Sequence, residues 1–234
     1  MACWRAFTMD DALLVLLWLA MAMVGVAMAV WLHRVGVAAT YVRDLVHVGA
    51  GAWVFGWSAW QHPAVPVLVA AVVAGGSAGV PGLAKRYRLL AGLRGALADT
   101  DETWQGVAQY GMVFFAFTLC AFVASDLRAA AGASLLALAW GDGLGGAVGR
   151  RLGTHRFRAP WAKAKTLEGS MVVAVMSAAA VLVFLSWMDA TVDPAAVVGA
   201  GAVAACAEAL APRGSDNLAV PTSVFVWLLA WSRG

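Results

Sequence analysis

Charge is what this chain has least of. Asp, Glu, Lys and Arg make up 12% of its 234 residues, about half the roughly 25% usual in soluble globular domains. A soluble fold is thereby excluded, since 62% of the residues are apolar and the mean hydropathy is +0.79. Cysteine is scarce too. Cys3, Cys120 and Cys206 form no CxxC and no Cys/His cluster, which excludes a disulfide framework and a zinc site. Linkers, low-complexity tracts and internal repeats are missing as well. The weakly apolar, charge-bearing stretches reach only about 20 residues, too short to bury a second core. The chain therefore reads as one integral domain over 1–234, all-α, a polytopic bundle of transmembrane helices, with no nucleic-acid partner expected.

Apolar runs long enough or nearly long enough to cross a bilayer lie at 12–32, 45–60, 64–81, 106–124, 130–149, 168–187, 195–211 and 218–231. The second, third and last are short for the roughly 20 residues of a perpendicular crossing, so the expectation is seven or eight spans. AMA triplets at Ala20–Ala22 and Ala27–Ala29 resemble signal-peptidase sites. The run holding them follows Asp10 and Asp11 with only Arg5 as a cation, so it reads as a retained helix. The 12 tryptophans, many near helix ends, read as an interfacial belt.

Taking the connections after spans one, three, five and seven as one side collects Arg34, Arg43, Lys85, Arg86, Arg88, Arg94, Arg150, Arg151, Arg156, Arg158, Lys163, Lys165 and Arg213. Only Arg5, Arg128 and Arg233 remain opposite. The positive-inside rule makes the first side cytoplasmic, with both termini outside, in a cell membrane whose lipids are further partners. That assignment gathers Arg43, His47, Asp142, Glu168, Glu208 and Asp216 at one membrane face. Acids within spans usually line a cavity or pathway, which singles out Asp142 and Glu208.

Asp142 is followed by Gly145, Gly146 and Gly149 at i+3, i+4 and i+7, so its helix face is nearly bare backbone. Such a face admits a ligand or metal, or serves small-residue helix packing, for which Gly145 and Gly149 have the spacing. The next loop holds Arg150, Arg151, Arg156, Arg158, Lys163 and Lys165 before any acid. A bare basic run is most often a juxtamembrane patch. Here it is bracketed by Asp142 and Glu168 and stiffened by Pro160 and Trp161, and Lys163 and Lys165 precede a helix start that Thr166 is placed to cap. A helix N-terminus is itself an anion site, which favours a polyphosphate there. Glu168 in the first turn either ligates a metal or complements the helix dipole. Arg43 and His47 share a helix face, Glu102 and Tyr110 flank the start of the fourth span, and Asp216-Asn217 before Pro221 has turn chemistry.

Three blocks together resemble the CTP-dependent lipid-alcohol kinases, the family of dolichol kinase, phytol kinase and the yeast-type diacylglycerol kinase. They are YVRDLVH at Tyr41–His47, GDGLGGAVGRRLG with KAKTLEGS across Gly141–Ser170, and AEAL with SDNLAVP across Ala207–Pro221. The middle block also resembles phosphatidate cytidylyltransferases. The last leans to the kinases through Asp216, Asn217, Leu218 and Pro221. Where the family commonly has a second cation before its histidine, this chain has Asp44.

The resemblance implies Mg²⁺-assisted transfer of the γ-phosphoryl of CTP to the hydroxyl of a membrane isoprenoid alcohol of polyprenol, dolichol or phytol type. Asp142 with Glu168 or Asp216 is expected to hold the metal. Arg43, Gly145, Gly146, Gly149, Arg150, Lys163, Lys165, Thr166 and Asn217 are the expected nucleotide and phosphate contacts. Glu208, His47 and Asp216 are the three candidates for the proton acceptor. A cytidylyltransferase releasing pyrophosphate and a transporter are the competing classes. A transporter needs no dense cationic loop on one face.

Overall fold

A computed structural model describes residues 8–212 and 214–232. Cys3 and the cations Arg5, Arg213 and Arg233 used in the orientation argument lie outside the described residues. The helices are α1 (Met9–Arg34), α2 (Ala39–Ala50), α3 (Ala64–Ala84), α4 (Arg88–Leu97), α5 (Asp101–Val123), α6 (Arg128–Ala137), α7 (Gly143–Leu152), α8 (Leu167–Trp187), α9 (Pro194–Leu210) and α10 (Asp216–Trp231). One two-stranded antiparallel hairpin, β1 (Arg156–Phe157) with β2 (Lys165–Thr166), interrupts them, pairing Arg156 with Thr166 and Phe157 with Lys165.

Among the described residues, four helices, α1, α3, α5 and α8, are long and apolar enough to cross a membrane, and α9 is a shorter apolar helix. The expected count of seven or eight is therefore not reached by length and apolarity alone. The reason is local. The run at 45–60 becomes α2, begun six residues earlier, followed by a 3-10 turn at Gly51–Gly56. The run at 130–149 is broken by a π turn at Leu138–Asp142 between α6 and α7. The basic stretch expected as a connection contains α4, which packs against α1, α2, α3 and α5.

At the start of α1, Thr8 and Asp11 form a capping box. The buried Asp11 carboxylate also accepts from the backbone of Gln61 (2.9 Å) and His62 (3.3 Å), tying α1 to the loop before α3. That accounts for an acid in so apolar a helix: it is buried with its lone pairs satisfied.

The main core holds Trp57, Leu135, Leu136, Leu138 and Phe184, with Trp53, Trp60 and Val224. The expected tryptophan belt is thus only partial. Trp31, Trp161 and Trp187 are exposed, but Trp53, Trp57, Trp60 and Trp104 are buried. In a bundle rich in Ala and Gly the indoles fill volume, and two reach partners, Trp53 at Thr118 Oγ1 (3.0 Å) and Trp104 at the Ser77 carbonyl (2.8 Å). A second, smaller apolar cluster, including Val42, Val80, Leu97 and Trp104, lies among α1 to α5.

Candidate functional site

Residues from α2, α5, α7, the hairpin, α8, α9 and α10 enclose a cavity of about 610 Å³. Its walls include Arg43, His47, Asp142, Gly145, Gly146, Gly149, Arg150, Lys163, Lys165, Thr166, Glu208, Asp216 and Asn217. Three sequence blocks, lying between Arg43 and Asn217 in the chain, thus meet at one cavity.

The π turn governs the floor. Asp142 is its last residue, and its first, Leu138, accepts a hydrogen bond from His47 Nε2–H at 3.3 Å. A π turn shifts the helix ladder by one residue and is frequent at functional sites, because it re-aims side chains and frees backbone groups. Tyr110 Oη donates to the His47 carbonyl (3.2 Å), and the two rings lie 4.0 Å apart. The glycines let neighbours close in. A Cβ at Gly145 would sit 2.3 Å from Val173 Cγ2, and one at Gly149 would sit 2.8 Å from Thr166 Oγ1 and 3.3 Å from Gly169 Cα. Those two are therefore the α7–α8 contact as well as cavity wall. Gly146 instead faces the Arg150 guanidinium.

Lys165 is the centre of the acidic group. Its ammonium donates to Glu208 and lies 3.4 Å from Asp216 Oδ2. Burial pulls its pKa down, but the charges of Glu208, Asp216 and Asp142 outweigh that and hold it above the ordinary lysine value. Asp142 interacts electrostatically with Asp216, Lys165, Glu208 and Arg43. The second Glu208 oxygen, Oε2, is buried with no hydrogen-bond partner among the described residues. Among those residues, no three His, Cys, Asp or Glu side chains are grouped as metal ligands.

Other expected residues take different partners. Glu168 stays outside the cavity, accepting from Thr154 Oγ1 (2.6 Å) and the His155 backbone (3.2 Å), so it ties the loop before β1 to α8. Thr166 caps α8 through the Gly169 amide, 3.2 Å away. Asn217 Nδ2 donates to the Gly106 carbonyl (2.8 Å), locking α10 to α5 beside Asp216. Arg150 pairs with Asp44 and lies over the Tyr41 ring. Lys163 lies 3.4 Å from Glu102, and both line the cavity. Sequence reasoning gave Asp44, Glu102 and Tyr110 little weight. Their signal is spatial, since each is a partner of a residue far away in the chain.

Compared with known proteins, the chain is 31% identical over 233 residues to a curated phytol kinase of Synechocystis, covering 88% of this chain and 93% of that one. The chain belongs to the phytol and dolichol kinase family. It is a membrane protein of the lipid-alcohol kinase class. No family model and no solved structure gives a significant match.

Proposed function

We propose that this kinase transfers the γ-phosphoryl of CTP to the hydroxyl of a phytol-type isoprenoid alcohol, at the cytoplasmic face of a membrane it crosses eight times. The relative's name supports the acceptor, the family resemblance supports CTP, and the cation distribution supports the sidedness. The eight crossings are α1, α2 with its 3-10 turn, α3, α5, α6 with α7, α8, α9 and α10. α4 lies at the surface.

One observation carries the reading: a single cavity holds a carboxylate cluster, a set of cations and the half-buried His47. Five cations, Arg43, Arg150, Arg156, Lys163 and Lys165, face five acids, Asp44, Glu102, Asp142, Glu208 and Asp216. A triphosphate entering so balanced a cavity gains little net attraction unless a cation accompanies it. The donor set fits Mg²⁺, which takes one or two carboxylates and keeps the rest of its shell for water and phosphate. Asp142 and Asp216 would hold it, and the unpartnered Glu208 Oε2 fits a further donor or a metal-bound water. The ion, when bound, offsets charge on the phosphates during transfer.

Transfer of this kind is mostly positioning and charge neutralisation. Lys165, held as an ammonium by Glu208 and Asp216, is placed to exchange those acids for phosphate oxygens, and Arg43 and Arg150 reach the same space. His47 donates through Nε2, which leaves Nδ1 as the acceptor of the neutral ring and a candidate to take the hydroxyl proton. The Tyr110 contact and the Leu138 carbonyl fix that ring.

Incubating the purified protein with γ-labelled CTP and a panel of lipid alcohols and lipid phosphates tests this reading. Labelled phytyl phosphate is expected. Labelled pyrophosphate would replace the reading by a cytidylyltransferase, and no turnover by a transporter.

A further inference from the structure

The cavity wall carries an apolar patch beside its charged groups, three of which, Arg43, Asp44 and Glu102, stand on the same helices as the patch. Arg150, Lys163 and Lys165 come from α7 and the hairpin, whereas Val46 of α2, Leu97 of α4 and Val107 of α5 present alkyl groups. These three belong to the second apolar cluster, backed by Val42 and Trp104. Leu97 is buried, while Val46 and Val107 are half-buried and so keep surface for a ligand. α4 makes this possible. Arg88 and Arg94 give it a charged side, and Leu90, Leu93 and Leu97 pack inward on the cluster, an amphipathic pattern suited to lying in a membrane interface.

The two ends of the proposed reaction sort between this patch and the cations of α7 and the hairpin. Phosphate oxygens placed against alkyl groups would lose their hydrogen bonds, and an alkyl chain placed among ammonium and guanidinium groups would cover donors it cannot pair. His47 adjoins Val46 in sequence and also lines the cavity with Asp142, so a hydroxyl at His47 has the apolar patch immediately beside it. The cavity volume lies in the range that holds a drug-sized ligand, leaving room for a nucleotide and the head of an alcohol but not for a whole isoprenoid chain.

We propose that Val46, Leu97 and Val107 form the subsite for the first carbons of the alcohol, and so set which alcohols are accepted. This rests on the kinase reading above. Narrowing the subsite with Val46→Phe or Val107→Phe in the full-length protein in detergent micelles is expected to raise the KM for phytol about tenfold, the scale of a mismatch in a hydrophobic pocket. The KM for CTP is expected to stay within about twofold, which also reports an intact fold. Val107→Ala, which cannot overpack, is expected to raise the KM for phytol in the same direction by removing contact. An unchanged KM for phytol in all three variants overturns the subsite. So does a KM that rises for CTP instead, which would place the nucleoside on this wall. If the unaltered protein labels no lipid alcohol at all, the kinase reading itself falls and takes the subsite with it. Labelled alcohol without the KM pattern removes the subsite alone.

Discussion

His47 and Leu138 are joined by a hydrogen bond of 3.3 Å from the imidazole Nε2 to the backbone carbonyl, across 91 residues of chain. Leu138 opens the π turn that ends at Asp142, so one irregular turn both anchors the imidazole and sets the acid. Replacing His47 with Gln keeps a donor for that carbonyl, whereas Leu leaves it unpaired, at a cost of about 1–3 kcal/mol. His47→Gln is therefore expected to melt nearer the wild type than His47→Leu. Both are expected to lose most turnover, because neither residue accepts a proton as imidazole does. Recovery of turnover in His47→Gln would make His47 a purely structural donor.

Asp142→Asn is expected to abolish turnover with Mg²⁺ while the protein still folds, because the amide keeps the shape and loses the charge. Asp216→Asn is expected to be severely impaired as well. Steady-state kinetics with thermal melting separate the two effects. Near-normal activity in Asp142→Asn would leave that acid a structural role.

Cations of the basic loop are expected to differ. Lys165 stands among Glu208, Asp216 and Asp142, whereas Arg158 is exposed and outside the cavity lining. Lys165→Ala is expected to lower turnover by about 10²-fold, the scale of one lost transition-state contact. Arg158→Ala is expected to change it only a few-fold. The reverse order in kinetics would move the triphosphate away from Lys165.

Glycines of α7 are expected to separate packing from binding. Gly145→Ala would put a Cβ 2.3 Å from Val173 Cγ2 and 3.0 Å from the Gly169 carbonyl, forcing α7 and α8 apart. Overpacking of this kind costs about 1–3 kcal/mol. Gly146→Ala meets only the flexible end of Arg150. Melting temperatures should therefore drop for Gly145→Ala and change little for Gly146→Ala, and equal drops would contradict the close approach.

A cysteine at Ala159, between the strands of the hairpin, tests the sidedness. It is expected to resist membrane-impermeant labelling from outside intact cells. Labelling there would reverse the orientation.

Several features were legible in the chain because they depend on composition and local spacing. Scarce charge and long apolar runs specify a helical membrane domain, since a bilayer core demands internally satisfied backbone and apolar side chains whatever the packing. Thr166 ahead of Leu167 specifies a helix start, because capping is settled within four residues. Arg43, His47, Asp142, Glu208 and Asp216 meet in one cavity as expected, whereas Glu168, expected among them, stays outside its lining.

What each residue touches was decided by tertiary structure. Glu168 bonds to Thr154 and His155 outside the cavity lining, and Asn217 bonds to Gly106. Asp44 takes up the charge of Arg150, and Trp57 is enclosed where a belt position was expected. The π turn was invisible because no residue type encodes it. It arises where helices press together, with a Cβ at Gly51 reaching 2.7 Å from Ala139 and one at Gly141 reaching 2.0 Å from Ser177 Oγ. Such distances are properties of helix pairs, and spacing along one helix does not contain them.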